Sequence, residues 1–289
     1  MVFNEMEAAR SPVFLGIALV TVLAELVWRL RSGRGYDGGA ALTTLGLVAG
    51  NLLAAALKGM VLGAIFGGVW RLVPHRFSMD RWQDWAVAFV AVEFAYYWFH
   101  RASHEIRWLW ATHSVHHSAE QLTFLASLRL GWTSLFSLGW LFYLPLVALG
   151  FDPRIIVTLL AFNLNYQFFL HTEAIGKLGY IEWILNTPDH HRGHHARNRE
   201  FLDRNYGGVL IVWDRLFGTM APDSDTKKLY GVLGERSERN PITLALREWR
   251  AMFRDFMAAR GVKARLGTLV RVRSPRPART AATRSRSGR

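Results

Sequence analysis

The chain has 289 residues, a formal net charge of +13 and no cysteine, which excludes disulfides, Fe–S clusters and thiolate zinc sites. Hydrophobic residues make up 51% of it against 20% charged, and the apolar ones gather in blocks, the pattern of a multi-span membrane protein. The basic excess lies between and after the blocks, where anionic lipid headgroups account for it without nucleic acid.

Residues 12–30 are the first apolar block, long enough at ~1.5 Å per residue to cross a ~30 Å hydrocarbon core. No small-residue cleavage site follows, so the block reads as a retained anchor. Arg29, Arg31 and Arg34 come next and place this end in the cytoplasm by the positive-inside rule. Residues 41–70 are a longer block rich in Gly and Ala and interrupted by Lys58, either one tilted span or a broken one. Residues 71–84 are polar with charges of both signs, and 85–100 form a third apolar helix ending at His100. Two more blocks, 133–150 and 154–170, are separated by a Gly-Phe-Asp-Pro turn and read as a hairpin that delivers His171 to the same membrane face. Residues 172–260 are polar, and 263–289 carry Arg, Pro, Ser and Ala without acid, a composition expected to stay disordered on anionic lipid.

The expected architecture is therefore all-α: an integral membrane protein of four to five transmembrane helices with a cytoplasmic helical cap. Its divisions are anchor spans at 1–84, a catalytic domain at 85–220, a helical extension at 221–262 and a basic tail at 263–289.

Ten of the 11 histidines fall in three places. His100 and His104 stand one helical turn apart. His113, His116 and His117 follow, then the single His171, then His190, His191, His194 and His195. Spacings of three and four bring rings to one helix face, which suits shared metal ligation. Ten imidazoles exceed what one ion can bind, so two metals are expected; Zn, Cu, Fe and Ni all accept imidazole. Glu93 lies inside an apolar helix, where a carboxylate is costly and suggests function. With Asn163, Gln167 and Glu120 it is a candidate for catalytic support or for orienting metal-bound rings. A metal transporter would place such ligands near mid-bilayer, whereas these lie at helix ends.

The order H-x-x-x-H, H-x-x-H-H, lone His, H-x-x-H-H resembles the fatty acid hydroxylase / sterol desaturase superfamily. Residues 185–199 and 205–219 are similar to its glyceryl-ether-cleaving branch. That resemblance implies a membrane-bound non-haem diiron monooxygenase whose ten histidines hold two Fe, with Zn as a substitute on purification. It also implies O2, a lipid substrate drawn from the bilayer, and an electron donor that is tetrahydrobiopterin or a redox protein. The expected reaction is hydroxylation of a lipid C–H bond, cleaving the ether when the substrate is an alkylglycerol. Fatty-acyl, sterol or aminolipid hydroxylation or desaturation is the alternative within the superfamily. A bacterial inner membrane or an endoplasmic reticulum membrane is the expected location.

Overall fold

A computed structural model describes residues 12–235 and 237–271. Its regular structure is helical; among the described residues there are isolated β-bridges but no strand.

Two helices come first: α1, Pro12–Arg31, and α2, Gly38–Leu72. α2 is one continuous helix of 35 residues, roughly 52 Å long, and Lys58 does not break it. Asp37 caps its start by accepting the Ala40 N–H at 3.0 Å. Both helices are long and apolar enough to cross a membrane, and only 11% of each apolar stretch is buried against the rest of the protein. Large apolar side chains such as Leu53 and Val13 lie bare along them, as expected where lipid is the solvent.

α3, Trp82–Glu105, carries His100 and His104 in its last two turns. Ile106 takes an extended conformation (φ −110°, ψ 117°) and ends it, and the short α4, Arg107–His113, turns away. The main apolar core joins α2 (Leu62, Phe66), α3 (Val92, Tyr96) and α6, Pro153–Phe168 (Ile156, Leu160). Asp152 caps α6 and Pro153 opens it, as the turn signal predicts.

Residues 133–150 do not form the expected spanning helix. They fold into turns, a 3₁₀ segment at Gly139–Phe142 and the short α5, Leu144–Ala148. Leu138 is left-handed (φ 63°), and Pro145 lacks the N–H that a continuous helix would use. Among the described residues, then, two helices rather than four or five meet the length and composition needed to cross on their own.

α7, Pro188–His194, and α8, Val212–Phe217, flank the irregular segment that closes the site. α9, Pro241–Ala258, is strongly one-sided and packs Trp249 and Met252 on Ala111 and Trp108 of α4. The extension is thus part of the fold. α10, Val262–Val270, is helical where disorder is expected from composition; the rest of the basic tail, 272–289, lies outside the described residues.

Candidate metal centre

The histidines arrive from five places in the fold. α3 supplies His100 and His104, the end of α4 supplies His113, and the 3₁₀ turn after it supplies His116 and His117. His171 follows α6, while His191, His194 and His195 come from α7 and its end. They meet in two groups. His100, His104, His113, His117 and His194 bring one ring nitrogen each within 4.8 Å of one another, and so do His116, His171, His191 and His195. The groups adjoin: His117 stacks on His195 at 4.3 Å between ring centroids, and His191 on His194 at 5.4 Å.

The ring nitrogens face each other without intervening acceptors. His113 Nε2 is 3.2 Å from the Nε2 atoms of both His100 and His117. In the second group, Nε2 contacts of 3.1 Å link His116 to His171, His171 to His191 and His191 to His195. His104 Nε2 and His194 Nε2 are buried with no hydrogen-bond partner.

Protonation follows from the other side of each ring. His100 Nδ1–H donates to the Tyr206 carbonyl at 2.8 Å, His171 Nδ1–H to the Gln167 carbonyl at 2.7 Å, and His194 Nδ1–H to the Arg204 carbonyl at 2.9 Å. A carbonyl only accepts, so the proton sits on Nδ1 and the Nε2 lone pair points inward. His104 turns its Nδ1 toward Asp203 at 3.5 Å. Burial pushes His171 and His194 down to about 4. Burial and the neighbouring rings hold His113, His116, His117, His191 and His195 well below the ordinary histidine range. Neutral, inward-facing lone pairs this close repel one another unless a cation lies between them. The donor set therefore fits a pair of first-row metal ions bound by imidazole.

One four-residue segment orients three rings of the first group. Asp203 serves His104, Arg204 serves His194 and Tyr206 serves His100. Asp203 and Asn205 both take left-handed conformations (φ 57°), which aims successive groups inward and which Asp and Asn tolerate. Asp214 holds the segment by accepting the Tyr206 and Gly207 N–H groups, each at 2.7 Å. Gly208 must be glycine: an added Cβ would lie 2.0 Å from Asn163 Nδ2. Residues 205–219 stand out by resemblance, but nothing in the spacing of this segment announces that main-chain carbonyls do the orienting.

The other predicted side chains divide. Glu93 is fully buried; it accepts from Asn163 at 2.5 Å and from the Val209 and Leu210 N–H groups at 2.8 and 2.9 Å. Asn163 in turn accepts from Gln167, and Gln167 from the Tyr96 hydroxyl at 2.9 Å. This chain braces α3, α6 and the segment after Tyr206. Gln167 reaches His171 through its main-chain oxygen, not its amide. Glu120 is exposed and in neither group. His190 also lies outside both groups; its carbonyl accepts from Asn205 at 2.9 Å. Glu25 of α1, not anticipated, is buried and accepts from Phe124 N–H at 2.7 Å and Thr172 Oγ1 at 2.5 Å. A carboxylate inside the first apolar block was the available signal.

Residues 85–219 match the model of the fatty acid hydroxylase family. The chain is similar to alkylglycerol monooxygenase of Danio rerio, 52% identical over 148 residues that are 51% of this chain and 32% of the relative. It is 44% identical to the Homo sapiens alkylglycerol monooxygenase over 177 residues, 61% of this chain and 39% of the relative. It is 32% identical to ornithine lipid hydroxylase OlsE of Rhizobium tropici over 146 residues, 48% and 44% of the two chains. The chain thus spans about a third to two-fifths of the length of the alkylglycerol monooxygenases it matches. No solved structure matches it.

Proposed function

We propose that this protein is a membrane-bound lipid monooxygenase whose two histidine groups each hold one iron ion. The observation that carries the reading is the convergence of nine buried or half-buried imidazoles on two adjoining points. His100, His104, His113, His117 and His194 would bind one ion and His116, His171, His191 and His195 the other. Iron bound there supplies the activation of O2 for attack on a C–H bond.

The residues of the chain do the rest. Carbonyls of Gln167, Arg204 and Tyr206 fix the tautomer of three ligands, so no proton must leave Nε2 when metal binds. Burial keeps the rings neutral and excludes bulk water. The Glu93–Asn163–Gln167 chain holds α6 against α3 and so sets the distance between the groups. α1 bonds to the residues after both His117 and His171 through Glu25, and Arg29 at the same end pairs with Glu173 at 2.7 Å. The site therefore lies at the arginine-rich end of α1, which supports a cytoplasmic orientation at the membrane surface. There a chain can enter from the bilayer while its polar end stays at the interface.

The relatives favour an alkylglycerol as substrate; hydroxylation beside the ether oxygen, with tetrahydrobiopterin as reductant, is what the resemblance in the histidine pattern implies. The likeness to ornithine lipid hydroxylase OlsE favours an aminolipid as the second reading. Purified protein should contain about two iron ions per chain and consume O2 with 1-O-alkylglycerol only when tetrahydropterin is present. Turnover of ornithine lipid with a redox protein, and none of the ether, would move the reading to the second substrate. A protein that binds no metal would remove both.

A further inference from the structure

Arg29, Arg107 and Arg129 are each buried to 2% exposure. Two of them bring their own anion. Arg29 pairs with Glu173 at 2.7 Å, and Arg107 with Glu248 at 2.7 Å and Asp255 at 2.9 Å. Arg129 differs. Its Nε–H donates to Ser118 Oγ at 2.7 Å and its Nη1 to the Ala40 carbonyl at 3.4 Å, both uncharged. Among the described residues no carboxylate forms an ion pair with it. Asp37 is the near candidate, but both its oxygens are taken by Arg239, at 3.0 and 3.1 Å. Glu120 also acts on it from a distance but is exposed, and Arg247 nearby adds like charge while paired with Glu235. A buried guanidinium without a counter-charge is costly, and its planar fork suits an oxyanion.

Arg129 also faces space. With Tyr36, Asp37, Ala40, Gln121 and Thr123 it lines a cleft, partly open to the outside, with about 20 Å³ free; the charge of Asp37 there is offset by its pair with Arg239. One water-sized atom needs roughly 10–15 Å³ on this measure, so the cleft takes a single oxygen. The first turn of α2 forms its opposite wall, and a helix start carries partial positive charge.

We propose that Arg129 anchors an oxyanion site between the α1–α2 turn and residues 119–129, receiving one oxygen of a phosphate group whose remainder stays at the mouth. The phosphate is either free in solution or the headgroup of a lipid. The site is separate from the histidine groups and stands independently of the oxygen chemistry proposed above. Because Arg129 holds Ser118, the residue after His117, an occupant would sit one hydrogen bond from the ligand-bearing turn.

The test uses the full chain in phosphatidylcholine nanodiscs and follows its melting midpoint. Inorganic phosphate is titrated in one arm; phosphatidylglycerol replaces part of the lipid in the other. A saturable rise of about 2–4 °C is expected in at least one arm. It should be lost in Arg129→Gln and partly kept in Arg129→Lys. Gln121→Glu places a carboxylate in the same cleft and should abolish the response in a folded protein, which keeps the test valid if Arg129→Gln does not fold. A response confined to phosphate assigns a soluble anion, and one confined to phosphatidylglycerol a lipid headgroup. Phosphate stabilises most proteins weakly by exclusion from their surface. Equal responses in wild type and variants, or none in either arm, would therefore overturn the proposal.

Discussion

Asp214 and His100 act on opposite sides of one residue. Asp214 Oδ1 accepts the Tyr206 main-chain N–H at 2.7 Å, and the Tyr206 carbonyl accepts from His100 Nδ1 at 2.8 Å. A carboxylate that touches no metal-facing atom thus sets the angle of a ring that does. Burial pushes Asp214 up to about 6, so it is held ionised at neutral pH by these N–H donors and the Thr219 hydroxyl. Asp214→Ala should weaken metal binding at the first histidine group about 10–100-fold, the usual cost of losing an orienting partner, and leave the second nearly intact. Competitive metal titration of the purified variant checks this; equal loss at both groups would contradict it.

Glu25 makes the matching prediction for the second group. Glu25→Ala removes the acceptor of Thr172 Oγ1 and leaves the buried Phe124 N–H without a partner. The unpaired N–H costs about 1–3 kcal/mol, and the turn after His171 loosens. Metal content should fall from about two ions toward one, with Glu25→Gln retaining most of both. Elemental analysis alongside denaturant melting reads the two effects separately.

His190 and His191 are neighbours with different fates. His191 Nε2 lies 3.1 Å from both His171 and His195, whereas His190 belongs to neither group. His191→Ala should remove one ion and turnover with it. His190→Ala should keep two ions per chain and lose stability by no more than about 1 kcal/mol. Loss of metal from the His190 variant would show that the resemblance-based set of ten was right and the geometric set of nine too small.

The buried rings also impose a direction on acid sensitivity. His171 and His194 stay neutral down to about 4 in the fold, while a free histidine protonates near ~6.5. Between those values the unfolded chain binds more protons than the folded one. Stability of the metal-free protein must then fall as pH falls from 6.5 to 4, by up to about 1.4 kcal/mol per pH unit per ring. Denaturant melts of chelator-treated protein at pH 7.5, 6 and 5 measure it. An unchanged midpoint would mean that the rings are solvated.

The histidine groups were legible from spacing because helical periods of three and four are local: His100 with His104, and His191 with His194 and His195, face together by backbone geometry alone. Which ring joins which group was not legible. His116 and His117 are adjacent in the chain yet belong to different groups, and that division depends on where α6 and α7 dock. The apolar block at 133–150 misled for a related reason. Its composition suits a span, but Pro145 and the left-handed Leu138 fold it into short turns against α3. Glu93 was recognised as out of place in an apolar helix, but its partners Val209 and Leu210 are main-chain groups 116 and 117 residues away. No residue type marks such a bond in advance.

The attachment of α1 has a practical consequence for anyone seeking a water-soluble version of this protein. Trimming that helix would take away Glu25 and Arg29, leave Thr172 and Glu173 without their partners, and uncover Phe124. Solubility gained that way should come at the expense of metal retention, so detergent or lipid must accompany the molecule through any preparation meant to turn over.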